Sequence, residues 1–110
     1  MEQANEYKTE RESYMNIIRH SLAKMPAVGM DYFARRVQVE CEKNTPKEDR
    51  TRFKLGVGQD RQTCGKYILN NMQYVHNHEL SFIAGEMLRR IEDYEQFNLY
   101  KRENWKEEGW

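Results

Sequence analysis

The chain has 110 residues, of which 38% are hydrophobic and 33% charged, and its 18 basic and 18 acidic residues cancel. That length fits one domain around one core, and the balanced charge excludes a molecule-wide field that would draw in polyanions. Seven Tyr, four Phe and two Trp supply large buried areas, so a small core under a heavily charged shell is expected, or a core completed by a partner.

The stretch MEQANEYKTERESYMNIIRHSLAKM predicts an amphipathic helix from about Glu6 to Met25. Tyr7, Tyr14, Ile18, Leu22 and Met25 share one stripe, and Arg11 falls on it as well. Pro26 cannot continue a helix interior, so the helix should end near Lys24. A second helix is expected from Asp31, a good N-cap, to about Glu42. Phe33, Val37 and Cys41 recur every fourth residue there, with Met30 and Ala34 alongside, and Arg35, Arg36, Gln38, Glu40 and Glu42 take the outer face.

The run TPKE at 45–48 has the form of a capping box, with Thr45 as cap and Pro46 at the first helical position. A short surface helix from Pro46 to about Leu55 follows. Alternation in RFKLGV allows a short β-hairpin around residues 52–58 instead. Thr63 is expected to cap a further helix whose apolar face carries Cys64, Tyr67, Ile68, Met72 and Val75. The weak helix formers at His76–His78 then make a break. The last helix, about Glu79 to Lys101 and extending toward Trp105, has a broad stripe of Leu80, Ile83, Ala84, Met87, Leu88, Ile91 and Tyr94, with Phe97 and Leu99 beyond. Glu86–Arg90 and Arg89–Asp93 are complementary pairs four residues apart. The expected fold is all-α, a small bundle of four to five helices with a long C-terminal helix. It forms one domain over residues 1–110, with flexible ends at 1–6 and 106–110.

Reactive groups do not converge in this pattern. His76, His78 and Glu79 lie within a few positions, yet the two histidines diverge by about 200° on a helix. HExxH and HxxEH, the helical zinc spacings, are both missing. Their bland reading is a helix junction, with His76 near a helix C-terminus, Asn77 in a left-handed exit and Glu79 at the next N-terminus. GVGQDRQTCGK at 56–66 fails as a P-loop, because Asp60 stands where the first Gly belongs and Tyr67 where a hydroxyl should hold magnesium. It fails as a dinucleotide fingerprint too, since Arg61 stands at the third Gly. No GxSxG elbow exists, and His20 should point to solvent. Cys64 with His76 is a conceivable pair, although a thiol on an apolar face is inert. The reading is therefore no enzyme, no metal and no cofactor.

What is left is surface chemistry. Residues 43–66 hold seven basic residues against three acidic, a net of +4, whereas residues 79–110 hold five against eight, a net of −3. Such asymmetry points to a charged partner or to self-association. The C-terminal NLYKRENWKEEGW places Tyr100, Trp105 and Trp110 beside Arg102, residue types that anchor interfaces. The expected function is a non-catalytic protein-interaction module, an adaptor or an inhibitor of the compact kind that phages and mobile elements encode. Its partner-binding residues would be Lys47, Arg50, Arg52, Lys54, Arg61, Lys66, Tyr100, Arg102, Trp105 and Trp110, and a homodimer is expected.

The alternative is a nucleic-acid-binding regulator. LGVGQDRQTCGKYI is similar to the turn and start of a helix-turn-helix recognition helix, within residues 46–68. Leu55, Gly56 and Val57 stand at matching positions, but Arg52 falls where a small buried residue is usual and one residue is added after the turn. Cys41 and Cys64 lack CxxC spacing, and no apolar run approaches the roughly 18 residues of a membrane span. The opening residues are too polar for a signal peptide, so a cytoplasmic protein with both thiols free and packed is expected.

Overall fold

The structure, a computed structural model, describes the backbone of residues 2–107 and the side chains of residues 10–96. Helices α1 (Glu2–Leu22), α2 (Ala27–Lys43), α3 (Arg61–Asn71) and α4 (Asn77–Glu107) follow one another. A 3-10 segment at Lys47–Phe53 separates α2 from α3, and a 3-10 turn at Met72–Tyr74 separates α3 from α4. The bundle is all-α, with no strand among the described residues. The alternative hairpin at residues 52–58 does not form. RFKL leaves the 3-10 segment and runs into the turn at Val57–Gly58, where Gly58 takes a φ of 71° that glycine tolerates and other residues rarely adopt.

Several boundaries differ from the pattern-based ones, each for a physical reason. α2 starts four residues before Asp31 because Pro26 fits the N-cap, with φ −71° and ψ 166°, and its carbonyl accepts from Met30. Thr45 does not cap. Its hydroxyl turns back to donate to the Cys41 carbonyl at 2.8 Å. α3 is capped by Asp60, whose Oδ1 accepts from the Thr63 N–H at 2.7 Å, so Thr63 is the donor in that cap. α4 begins at Asn77, because the His76 carbonyl already accepts from Leu80 N–H at 2.9 Å. No described non-glycine residue has positive φ, so Asn77 makes no left-handed exit.

The core joins all four helices. Ile18 and Leu22 of α1 meet Met30, Phe33, Ala34, Val37 and Cys41 of α2, Cys64 and Ile68 of α3, and Leu80, Ile83, Ala84, Met87 and Ile91 of α4. Phe53 and Leu55 enter from the linking segment, Met25 from the α1–α2 connection, and Met72 and Val75 from the α3–α4 bend. α1 and α4 run side by side in the same direction. Arg11 reaches the start of α4 at Asn77, and Lys24 pairs with Glu95 at 3.6 Å. The molecule is flat and elongated, 58 × 38 × 17 Å, with a radius of gyration of 16.8 Å. A compact chain of this length would have a radius of about 13 Å. The longest element is α4, whose 31 residues span roughly 46 Å at about 1.5 Å each.

Two members of the expected core and shell exchange places. Leu88 is 51% exposed. At about 100° per residue it turns away from the Leu80–Ile83–Met87–Ile91 face. Glu40 is buried instead, with its carboxylate 3.7 Å from Arg36 Nε.

Candidate functional site

The basic middle segment is the first candidate, and its arginines, although exposed, contact backbone carbonyls and rings. Arg61 grips the C-terminal end of α1, with Nε 2.6 Å from the Met25 carbonyl and Nη2 2.7 Å from that of Leu22. Leu22 is the last residue of α1, and its carbonyl otherwise accepts the long 3.4 Å bond from the Met25 N–H; a cation there also suits the helix dipole. Arg50 Nε donates to the Thr45 carbonyl at 2.9 Å. Arg52 lies over two rings, 5.0 Å from the Phe53 centroid and 4.7 Å from that of Tyr74. Lys47, Lys54 and Lys66 are exposed and make no ion pair among the described residues.

Two arginines outside that segment do the same work. Arg35 donates to the Leu55 carbonyl at 2.9 Å and to that of Gly56, which fixes the 54–60 loop on α2. Arg11, on the apolar stripe of α1, donates to the carbonyls of Val75 at 2.8 Å and Gln73, and to Asn77 Oδ1 at 2.7 Å. It therefore holds the bend that the histidines occupy.

The C-terminal candidates Tyr100, Arg102 and Trp105 belong to the backbone of α4, and their side chains lie outside the described residues, as Trp110 does entirely. His76 and His78 are exposed, and His78 packs its ring edge-on to Phe82 at 4.9 Å. No three His, Cys, Asp or Glu side chains among the described residues are grouped to hold a metal. Both thiols are buried. Desolvation, reinforced by Glu40, pushes the Cys41 thiol up to about 11, and desolvation with Asp31 nearby raises that of Cys64. Burial raises the Tyr67 hydroxyl as well, and it donates to the Phe53 carbonyl.

A further surface feature lies elsewhere, between α2 and α4. An open hollow of about 420 Å³ is lined by Tyr32 and Arg36 of α2 and by Ser81, Phe82, Gly85, Glu86 and Arg89 of α4. Glu86 organises its floor. It accepts from the Tyr32 hydroxyl at 3.2 Å and pairs with Arg90 at 3.5 Å and Arg36 at 4.0 Å. Arg90 in turn stacks 4.2 Å from the Tyr32 centroid, which orders that ring. The expected Glu86–Arg90 pair is thus present. Arg89 makes no ion pair with Asp93 and stands on the rim.

Two exposed aromatic side chains line the hollow, Phe82 at 56% and Tyr32 at 38%, and Leu88, 51% exposed, lies on the other side of Gly85. Val28 and Val39, spaced four and seven residues from Tyr32, extend the same face of α2 and are also exposed. The sequence carried a signal for this face, because Phe82 falls outside the buried stripe of α4. The pairing of α2 with α4 that gathers these residues was not visible in it. Comparison with family models, with curated proteins and with solved structures finds no match to this chain.

Proposed function

We propose that the protein works by contact, as a non-catalytic interaction module whose α2/α4 face receives a protein surface. The carrying observation is the exposed Phe82 on the side of α4 opposite its core residues, beside the exposed Tyr32 of α2 at the hollow. Each exposes apolar area that a partner would remove from water. Ordered Tyr32 and the arginines beside it are the residue types that concentrate binding energy at interface centres.

The nucleic-acid alternative has fewer cations to work with, since Arg50, Arg52 and Arg61 already hold carbonyls or rings. Lys47, Lys54 and Lys66 would have to carry it. Two measurements separate the readings. A photo-reactive residue at position 82, in cells that make the protein, should give a protein adduct, and one at exposed Asn70 should give none. The purified chain should show no appreciable affinity for generic duplex DNA or RNA near physiological salt. Tight binding that falls steeply with salt, and disappears on charge reversal at Lys47, Lys54 and Lys66, would replace the protein reading with the nucleic-acid one.

A further inference from the structure

We propose that the surface received by this face is a second copy of the chain, with two α4 helices crossing antiparallel about a two-fold axis at Gly85. This rests on the reading of the α2/α4 face as a contact surface, and it names the occupant.

α4 exposes apolar residues outside its core stripe. Leu80, Ile83, Ala84, Met87 and Ile91 enter the core, while Phe82, Gly85 and Leu88 face out. Gly85 is the odd member. Glycine is a poor helix former, and here it sits well inside the longest helix. Nothing in the fold requires it, because a Cβ built at Gly85 would meet no atom within 4 Å. A second helix crossing at that point does supply a reason, since a missing side chain lets two backbones approach closely.

The residues around Gly85 are complementary to themselves under a two-fold axis. In an antiparallel crossing, positions equally far on either side of Gly85 face one another. Three residues away, Phe82 meets Leu88 of the second copy, ring against aliphatic chain. Four residues away, Ser81 meets Arg89, a hydroxyl against a guanidinium without an ion pair of its own among the described residues. Seven away, His78 meets Glu92, an imidazole against a carboxylate. A parallel crossing would set Arg89 on Arg89 and Glu92 on Glu92, placing like charges together. Cation and anion are matched along the stripe, so it does not call for a strongly acidic or basic partner. Tyr32, held by Glu86 and Arg90, flanks the crossing from α2.

One helix pair with an aromatic flank is a small interface, below about 1,200 Å² in total, so an affinity on the order of 10 μM is expected. Sedimentation equilibrium of the full chain, from about 1 to about 500 μM, should show monomer passing to dimer. Phe82→Glu should weaken association at least tenfold while leaving the helical circular dichroism unchanged, because position 82 is mostly exposed. Geometry is read by cysteine cross-linking against a background in which Cys41 and Cys64 are buried. Gly85→Cys should form a disulfide with its own copy under mild oxidation. Ser81→Cys and Arg89→Cys should cross-link when mixed and not singly, and Asn70→Cys should not cross-link at all. Single-variant links at Ser81→Cys would overturn the antiparallel crossing. A chain that stays monomeric at every concentration would overturn the second-copy assignment. In that case a position-82 adduct with a different protein sustains the broader reading, and the lack of any adduct removes that as well.

Discussion

Replacing Arg61 by Met removes a guanidinium and keeps a stem of similar length, so the loss reports the cap on α1. Arg61 donates at 2.6 Å to Met25 and 2.7 Å to Leu22, with a longer bond of 3.2 Å to Ala23. Hydrogen bonds from a charged donor contribute about 1.5–3 kcal/mol each when buried. Arg61 is exposed although its two short bonds are partly buried, which reduces each of them to roughly 0.5–1 kcal/mol. The charge at the end of α1 adds about 0.3–1 kcal/mol through the helix dipole. Arg61→Met is therefore expected to destabilise the fold by about 2 kcal/mol, or roughly 10 °C in Tm for a chain of this size. Urea titration followed by far-ultraviolet circular dichroism measures it, with an unchanged m-value marking an unaltered unfolded state. Lys54→Met, at an exposed site with no partner among the described residues, should stay within about 0.5 kcal/mol. Arg61→Lys should recover less than half of the loss, because a single ammonium cannot bridge the Met25 and Leu22 carbonyls as the planar fork does. A loss below about 0.5 kcal/mol for Arg61→Met would refute the assignment and return Arg61 to the set of residues available for a partner.

Further expectations concern the glycines, the thiols and the α3 cap. Gly85→Ala should stabilise the dilute monomer by up to about 1 kcal/mol through helix propensity. Gly29→Ala should destabilise, because its Cβ would lie 2.6 Å from Met25 Sδ; denaturant midpoints of the two variants should move in opposite directions. Cys41 and Cys64 should react with a thiol reagent at pH 8 far more slowly than in urea, since burial holds both thiols above their ordinary range; equal rates would contradict the packing. Asp60→Ala should lower Tm. The Asp60 carboxyl is held below its usual value by the Thr63 N–H, so its contribution is present above the unfolded-state pKa and fades as pH falls through the folded one. The gap between wild type and Asp60→Ala should therefore close in acid.

The sequence made the helices legible where apolar residues recur every three or four positions, as at Phe33–Val37–Cys41 and Ile83–Met87–Ile91. It was less informative at boundaries, where several residues qualify as caps and packing selects one. Pro26 displaced Asp31 in this way, and Asp60 displaced Thr63. The long-range arginine caps were beyond reach. Arg61 binds carbonyls 36 and 39 residues earlier, and Arg11 one 64 residues later, so local spacing holds no trace of them. A cluster of basic residues thus read as a binding segment although half of it holds the fold together. Leu88 had the opposite history. Its hydrophobicity suggested the core, and only the helix azimuth separates it from Met87 next to it. The α2/α4 face was hidden for the same reason as the caps, since Tyr32 and Glu86 are 54 residues apart.

The central claim is that the α2/α4 face is covered when the protein works. Oxidative footprinting of Tyr32 and Phe82, in producing cells and in dilute purified protein, tests it without knowledge of what does the covering. The account predicts strong protection of both rings in cells and ready oxidation in dilute solution, with exposed Tyr74 reacting alike in the two. Equal oxidation of Tyr32 and Phe82 under both conditions would contradict it.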